Sequence, residues 1–507
     1  MFPAIVPEPV RARPGHGLPA LTRHGKDAVV SMGNVDLRHL PAVGSLLEEP
    51  ALAALLDGSG RAWLTRLVRQ VVDRAREEIR AGRRDAAGDR ETLRARLVRE
   101  VLAERERLLG PTLRRVINAT GVVVHTNLGR SRHPERAVAW AAQAARHPVD
   151  LEIDLADNRR GHRGRGVERK LALLTGAEDA LVVNNNAAAV WLSLRALAPG
   201  GRVILSRGEV VAIGGSFRMH EIVAETGCEL VEVGTTNRTT LADYLDALVP
   251  GAVVLKVHRS NFMVRGFTES VPLAELAAAC RERGHRLVYD AGSGLLHPAK
   301  LPGLAGMRTL EQDVAAGADL VTCSGDKLLG GCQAGIVLGR GDLVARLRTH
   351  PMRRAFRVDK TTLAALDGTV THYLAGDAAA AVPTLRMLGR DTARLEATAT
   401  ELLAALAPDA PSGWSGSVVP GESEVGGGSG AERRLPTRLV AWTGPAAELE
   451  TVHRHLRTGD PAVLARIGKE QLALDLRTVA DDELAPLGRA LRAAWRELAT
   501  RGGGDDD

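Results

Sequence analysis

Two residues of the 507-residue chain have the chemistry and the spacing of a cofactor site. In the stretch HRLVYDAGSG, an apolar run ends at an acid, Asp290. In ADLVTCSGDKLLGG, a second apolar run is followed by a lysine, Lys327, which lies 37 residues after Asp290. Burying a lysine at a strand end is costly unless it has a task, such as a Schiff base to an aldehyde cofactor. Alone, Asp290 also fits a helix cap, and Lys327 a solvent-facing loop. Together they fit pyridoxal phosphate, which needs a lysine for its aldehyde and an acid for its ring nitrogen.

A phosphate site is predicted upstream, in VVNNNAAAVWLSL, which reads as strand, polar turn and helix start. The helix start would offer backbone N–H groups and its positive end to a phosphate through Asn185, Asn186, Ala187 and Ala188. Ser324, three residues before Lys327, could donate a further hydrogen bond. The asparagines would serve equally as helix caps without a ligand. The expected cofactor is therefore pyridoxal 5′-phosphate. No metal is expected, because the cysteines and histidines lack metal-ligand spacing.

Arginines provide candidate sites for an oxyanion. Arg130 ends HTNLGR, and Arg354 and Arg357 lie three residues apart in RRAFRVDK, which places them on one face of a helix. A guanidinium group binds phosphate or carboxylate through parallel hydrogen bonds. Surface charge accounts for these arginines equally well. If they bind a ligand, it is either a phosphate-like group or the carboxylate of a small substrate.

The elements that position these residues predict an α/β fold. From residue 111, short apolar runs alternate with helical stretches, which predicts βαβ units and a mainly parallel sheet in a large domain over 111–377. Residues 378–500 predict a small C-terminal α/β domain. Within it, the segment 420–434 has the composition of a flexible loop.

The first part of the chain predicts a helical N-terminal domain over residues 36–110. One helix near 61–82 carries an apolar face, and another spans about 90–109. Between Arg61 and Arg107 there are 14 arginines and nine acidic residues, a net charge of +5. This segment is either a solvated face with internal ion pairs or a surface that contacts nucleic-acid phosphate. The arm 1–35 and the tail 501–507 are expected to be disordered.

Composition excludes several classes of protein. Apolar residues make up 45% and charged residues 25%, as in an ordinary globular protein. No apolar run reaches the roughly 18 residues of a membrane helix, and the start does not read as a secretory signal. Four cysteines do not form a disulfide framework, so a cytoplasmic location is expected. Neither a membrane nor DNA is an expected partner.

The motifs taken in order resemble one family. VINATGVVVHTNLGRS, NNNAAAV, SRGEVVAIGGSFR, YDAGSG, SGDKLLGG and RVDK are similar to stretches of bacterial selenocysteine synthase, the L-seryl-tRNA(Sec) selenium transferase family. The similarity runs from about 36 to 495. No single motif is specific, but the ordered set is.

The resemblance implies a fold-type-I pyridoxal-phosphate enzyme of the aspartate aminotransferase type. In it Lys327 carries the cofactor, Asp290 contacts the pyridine nitrogen, and Asp326 belongs to the active-site motif. Arg130, Arg354 and Arg357 match arginines that hold the phosphate-like group of the selenium donor, selenophosphate.

The implied reaction converts L-seryl-tRNA(Sec) to L-selenocysteinyl-tRNA(Sec) through an aminoacrylyl-tRNA bound to the cofactor. The N-terminal domain would bind the tRNA, and the subunits would assemble as a homodecamer, a pentamer of dimers. The resemblance also implies that VGGGS at 425–429 is ordered, contrary to its composition. Two features depart from the family: Cys332 stands where a proline is expected, and the first 31 residues have no counterpart.

Two other functions fit parts of the sequence. A related pyridoxal-phosphate ammonia-lyase or β-eliminating lyase would act on a small amino acid or sugar acid, and it would have no need of a basic N-terminal domain. A non-catalytic tRNA-binding protein would have no need of Asp290, Asp326 and Lys327.

Overall fold

The computed structural model describes residues 37–56, 60–81, 90–213, 217–296, 301–430, 433–468 and 470–502. Its contacts divide the chain into two compact units, Met1–Arg115 and Val116–Asp507. The expected disordered arm over 1–35 lies outside the described residues, and so do residues 503–507 of the expected tail. Residues 501 and 502 instead end the last helix. Among the described residues, no helix is both long and apolar enough to cross a membrane.

The first unit is helical. Its α-helices are α1 (Val43–Leu47), α2 (Pro50–Ala53), α3 (Arg61–Arg80) and α4 (Arg90–Leu109). The last two agree with the helices predicted near 61–82 and 90–109. The apolar face of α3 is buried through Leu64, Leu67, Val68, Val71 and Val72. It packs in one cluster with α4 side chains such as Leu97 and Val101. This burial leaves Arg66, Arg69, Arg74 and Arg80 exposed on the remaining surface of α3.

The described strands all lie in the second unit. They are β1 (Val116–Ala119), β2 (Ile153–Asp154), β3 (Arg159–Arg160), β4 (Asp179–Val183), β5 (Arg202–Ser206), β6 (Ala212–Ile213), β7 (Phe217–Arg218), β8 (Glu229–Val233), β9 (Val253–Val257), β10 (Arg286–Gly292), β11 (Leu320–Ser324), β12 (Gly335–Gly339), β13 (Ser415–Glu424), β14 (Arg434–Thr443), β15 (Ala462–Ile467) and β16 (Gln471–Asp475). The α-helices of this unit are α5 (Glu135–Arg146), α6 (Arg165–Thr175), α7 (Asn186–Leu197), α8 (Met219–Glu225), α9 (Leu241–Asp246), α10 (Leu273–Glu282), α11 (Leu310–Ala315), α12 (Gly341–Thr349), α13 (Lys360–Ala375), α14 (Ala378–Ala381), α15 (Pro383–Leu388), α16 (Thr392–Leu406), α17 (Ala446–Thr458) and α18 (Leu484–Gly502).

The larger sheet has seven strands in the order β4-β12-β11-β10-β9-β5-β8. The β11–β10–β9–β5–β8 pairs are parallel, whereas β12 runs antiparallel to both of its neighbours. Alternate residues of β9 belong to different cores, Val253 and Leu255 to one and Val254 to the other. A sheet that is buried on both faces explains why its strands appear in the sequence as continuous apolar runs.

The second sheet has five strands in the order β1-β15-β16-β14-β13. The prediction placed all of 111–377 in the large domain, but β1 pairs in parallel with β15 and so belongs to this second sheet. The prediction of a flexible loop at 420–434 is wrong for its first part, because 420–424 pair with β14 as the end of β13. The following residues are held as well, because the N–H groups of Val123 and Val124 donate to the carbonyls of Glu424 and Val425.

A buried carboxylate ties the second sheet together. Asp475, which is fully buried, accepts hydrogen bonds from Arg466 Nη2 at 2.7 Å, Ser423 Oγ at 2.7 Å and Thr437 Oγ1 at 2.9 Å. Arg466 also donates to the carbonyls of Thr120 and Glu422. The pair therefore joins five chain segments, namely Thr120 after β1 and the strands β13, β14, β15 and β16.

We expect Asp475→Ala to lower the free energy of unfolding by about 3–5 kcal/mol, because it leaves the Arg466 guanidinium largely buried without its counter-ion. Denaturant unfolding followed by circular dichroism checks this. Asp409→Ala is the matched control, because Asp409 pairs with Arg492 at the surface and such pairs contribute about 0–1 kcal/mol. Equal effects of the two substitutions would contradict the expectation.

Candidate active site

The carboxyl ends of three strands converge at one edge of the seven-stranded sheet. β10 ends around Asp290, β11 leads into the turn that holds Lys327, and β4 leads into α7 at Asn186. β10 and β11 are parallel, and two successive antiparallel pairings through β12 give β4 the same direction as β11. Ligands of open α/β sheets bind at such an edge.

Asp290 is buried, with 5% of its surface exposed, and three donors converge on its Oδ1. Asn186 Nδ2 lies at 2.8 Å, the Gly292 N–H at 3.0 Å and Thr322 Oγ1 at 3.4 Å. Burial raises the pKa of Asp290, although the hydrogen bond from Asn186 and the charge of Lys327 oppose this. A buried carboxylate is stabilised by a cationic partner, and the protonated ring nitrogen of pyridoxal phosphate is such a partner.

Lys327 lies within the turn 325–329 and is 6% exposed. Burial lowers the pKa of its amine, although the charge of Asp290 opposes this. A lowered pKa increases the fraction of neutral amine, which is the form that attacks an aldehyde or accepts a proton. Ser324 is buried three residues earlier at the end of β11.

The start of α7 lies beside these two residues. Asn185 caps the helix, because its side-chain oxygen accepts from the Ala188 N–H at 2.9 Å. The expectation for Ala188 therefore needs correction, since its N–H is engaged in the cap, which leaves the N–H groups of Asn186 and Ala187 as the expected phosphate donors. Gly335 allows this close packing, because a Cβ there would collide with the Asn185 carbonyl.

These residues share one cavity of about 530 Å³. Of the predicted site residues, Lys327, Asp290, Asp326, Ser324, Asn185, Asn186, Ala187 and Arg130 line it. Sequence reasoning missed Val211, Gln333, Asn261 and Ser260, which belong to loops with no periodic signal. His258 also lines the cavity. Gly427 and Gly428 of VGGGS line it as well.

Arg130 connects to the lysine turn through Asp326. Its Nη1 lies 2.6 Å from Asp326 Oδ2, with 30% of the arginine side chain exposed and 8% of the aspartate. The backbone of Arg130 is left-handed, with φ at 64°. Its guanidinium is therefore at the cavity wall with part of its surface open to a ligand.

Arg354 and Arg357 lie elsewhere on the unit and do not line this cavity. They do not share a helix face as predicted, because the 3₁₀ helix Pro351–Arg354 ends at Arg354. Asp359 caps α13 through the N–H groups of Thr361 and Thr362, so the chain must leave the helical conformation before it. Arg354 is exposed, and Arg357 lies 3.9 Å from Glu152. Arg353, the residue before Arg354, is buried, and its Nε has no hydrogen-bond partner among the described residues.

Cys332, the departure from the family pattern, is a buried thiol that donates to the Thr362 carbonyl at 3.3 Å. Burial raises its pKa to about 12. At neutral pH it is therefore a thiol rather than a reactive thiolate. It does not line the Lys327 cavity.

Comparisons with known proteins agree with this geometry. The family model described as L-seryl-tRNA selenium transferase matches residues 116–480, and the model described as selenocysteine synthase N terminal matches residues 37–76. The chain is 46% identical over 468 residues to the L-seryl-tRNA(Sec) selenium transferase of Solidesulfovibrio magneticus, covering 90% of this chain and 98% of that one. It is 44% identical over 460 residues to that of Desulfomicrobium baculatum, with coverage of 90% and 98%.

A solved structure titled D-glucosaminate-6-phosphate ammonia-lyase is similar in fold, with a TM-score of 0.54 and 22% identity. The match covers 78% of this chain and 99% of that chain. The predicted fold-type-I architecture is thus confirmed. By the extent of both family models and of its relatives, the chain belongs to the L-seryl-tRNA selenium transferase family.

Proposed function

We propose that this protein converts L-seryl-tRNA(Sec) into L-selenocysteinyl-tRNA(Sec), with pyridoxal 5′-phosphate as its cofactor and selenophosphate as the selenium donor. The observation that carries the proposal is the meeting of Lys327 and Asp290 beside the start of α7, in a chain that is 46% identical to a transferase of this kind. When bound, the cofactor supplies an aldehyde for the amine and an electron-withdrawing ring for the bonds at Cα.

Each part of the cofactor has a partner among the residues of the cavity. Lys327 carries the aldehyde carbon, and Asp290 keeps the ring nitrogen protonated. The N–H groups of Asn186 and Ala187 and the hydroxyl of Ser324 bind the phosphate, where the helix start favours negative charge. Asn186 has a second task, because its side chain orients the Asp290 carboxylate.

Lys327 also moves the proton. When it is not bound to the cofactor, its neutral amine would take the proton from the seryl Cα. The lowered pKa of Lys327 favours the neutral form that this step requires. The seryl hydroxyl would leave as water and selenium would form the new bond to Cβ. The P–Se bond of selenophosphate would break, with its phosphoryl group passing to water, so that phosphate is the second product.

We assign binding of selenophosphate to Arg130, Arg354 and Arg357. Arg130 lines the cavity and is held by Asp326, which fixes its guanidinium near the lysine turn. The buried Arg353 precedes Arg354, and its pKa is lowered by burial and by the charge of Arg357. Positive charge concentrated in this way attracts an anion.

We assign binding of the tRNA to the N-terminal unit. Exposed arginines on α3 fit the phosphate backbone, because the apolar face of this helix is buried in the core and the arginines lie on the rest of its surface. We further propose a cytoplasmic homodecamer. Large exposed apolar side chains such as Leu155, 74% exposed, and Leu173, 68% exposed, support burial against other subunits.

The deciding experiment supplies the purified protein with seryl-tRNA(Sec) and labelled selenophosphate, with seryl-tRNA(Ser) as the control. Selenium attached only to the first tRNA supports the proposal. Release of ammonia from a small amino acid or sugar acid, without transfer of selenium, would favour the lyase instead. Light scattering on the same sample measures the subunit number.

We expect the double substitution Arg66→Glu and Arg69→Glu to weaken binding of seryl-tRNA(Sec) at least about tenfold. The slope of log K against log salt should fall by about 2, one for each lost phosphate contact. Filter binding over a salt series measures both. The matched control is Arg454→Glu with Arg457→Glu, which has the same spacing on the exposed side of α17. If the two double variants behave alike, the tRNA does not contact α3.

A further inference from the structure

The catalytic lysine lies in a turn rather than in a helix or a strand. Hydrogen bonds from other segments therefore decide where its main chain lies. The residues after it are held from two sides. The Leu328 N–H donates to the Ser293 carbonyl at 2.9 Å, and the Tyr373 hydroxyl donates to the Leu329 carbonyl at 2.6 Å.

A third segment holds Lys327 and Asp326 themselves. Ser131 Oγ donates to the Lys327 carbonyl at 2.7 Å, and the Ser131 N–H donates to the Asp326 carbonyl at 3.3 Å. The preceding residue, Arg130, binds the Asp326 side chain at 2.6 Å. The adjacent residues Arg130 and Ser131 thus form hydrogen bonds with the adjacent residues Asp326 and Lys327 through both main-chain and side-chain atoms.

The backbone at this contact has a strained conformation, which indicates that the surrounding contacts hold it in place. Arg130 has a φ of 64°, in the left-handed region that residues with a Cβ seldom adopt. Such a conformation persists where surrounding contacts enforce it. Ser131 is 9% exposed, so water competes little for its hydroxyl.

We propose that Ser131 is a positioning residue for Lys327. Ser131 does not line the cavity, so it acts through the lysine main chain. Its hydroxyl fixes the Lys327 carbonyl, and the position of this main chain decides how the lysine side chain is oriented relative to Asp290 and the cofactor. The neighbouring Arg130 is the candidate anion-binding residue of the cavity. Residues 130 and 131 therefore connect the expected anion site to the reacting amine of Lys327.

The fold should survive loss of this hydroxyl. The Lys327 carbonyl also accepts the Gly330 N–H at 3.0 Å, so it keeps a donor when Ser131 is replaced by alanine. The contacts of Leu328 and Leu329 are unaffected. What is lost is one restraint on the orientation of Lys327, and misplacement of a reacting group by about 1 Å costs on the order of 10²-fold in rate.

The test uses the full-length protein as wild type, Ser131→Ala, Ser131→Thr and Ser193→Ala. Ser193 is the matched control, because its buried hydroxyl donates to the Ala189 carbonyl at 2.7 Å within α7 and does not touch Lys327. Two measurements need no tRNA: the pH titration of the visible absorbance of the bound cofactor, and the rate at which cofactor-free protein recaptures added pyridoxal phosphate.

We expect Ser131→Ala to slow recapture about tenfold and to displace the titration midpoint, whereas Ser193→Ala leaves both at the wild-type values. Ser131→Thr retains the hydroxyl and should restore both. In turnover, kcat should fall about tenfold and KM for seryl-tRNA(Sec) should remain unchanged; this last arm alone rests on the proposed function.

A wild-type titration and a wild-type recapture rate in Ser131→Ala would overturn the proposal. So would a loss of cofactor binding that accompanies global unfolding and is not restored by threonine, because the role of Ser131 would then be structural. If the titration shifts as expected while even the wild type fails to convert seryl-tRNA(Sec), the positioning role stands and the proposed function fails.

Discussion

Replacement of Lys327 by alanine will abolish the covalent attachment of the cofactor and lower turnover by on the order of 10³-fold or more. The reason is that one amine has two tasks, because it carries the aldehyde and then accepts the Cα proton. Its pKa is lowered by burial, so the substitution removes the amine suited to both. The visible absorbance of the bound cofactor, together with transfer of selenium to seryl-tRNA(Sec), measures the two losses.

The wild-type protein contains an internal control for this result. Among the residues that the structure describes, Lys256 is the other buried lysine, but its Nζ is paired with Glu209 at 2.6 Å. Reduction of the cofactor-loaded protein with borohydride, followed by peptide mapping, should place the label on Lys327 and not on Lys256. A label on Lys256, or unchanged absorbance in Lys327→Ala, would refute the assignment of Lys327.

Asp290→Asn should retain cofactor binding and lower kcat by on the order of 10²-fold, the loss typical of one preorganised electrostatic contact to developing charge. An amide has nearly the shape of the carboxylate and can still accept from Asn186, so the packing is preserved. It has no charge to keep a proton on the ring nitrogen. The pH dependence of the cofactor absorbance should therefore change together with kcat.

Asp313→Asn is the control for loss of a buried carboxylate as such. Asp313 is 3% exposed, burial raises its pKa as it does that of Asp290, and it pairs with Arg308 at 2.7 Å. It does not line the Lys327 cavity. We expect a loss of stability and an unchanged cofactor spectrum. A spectral change as large as that of Asp290→Asn would mean that Asp290 acts through stability and not through the ring.

Several features followed directly from the order of residues in the chain. Apolar runs that alternate with helical stretches predicted the parallel strands, because strands buried on both faces need apolar residues throughout. Asp290 and Lys327 were predicted to meet because parallel strands place their carboxyl ends at one edge of the sheet. The helix over 90–109 was predicted because its signal is local, in residues three and four apart.

Other features were decided by contacts between residues far apart in the sequence. β1 joins β15 more than 300 residues later, and Gly427 reaches the cavity because its loop pairs with residues 123–124. The amino-acid composition of that loop is typical of a flexible linker, because composition indicates intrinsic flexibility but not the segments with which a loop pairs. Local reasoning also placed Arg354 and Arg357 on one helix face, but the 3₁₀ helix ends at Arg354, and Arg357 lies in the connection that leads to Asp359, the cap of α13.

The sequence by itself thus determined the type of fold, the cofactor chemistry and the residues at the strand ends, since each depends on local periodicity and on the shared direction of parallel strands. Only the tertiary structure decided that the Ala188 amide is used in a helix cap, that Cys332 is an inert buried thiol, and that Ser131 holds the lysine turn. These depend on hydrogen bonds and burial, which exist only after the chain has folded.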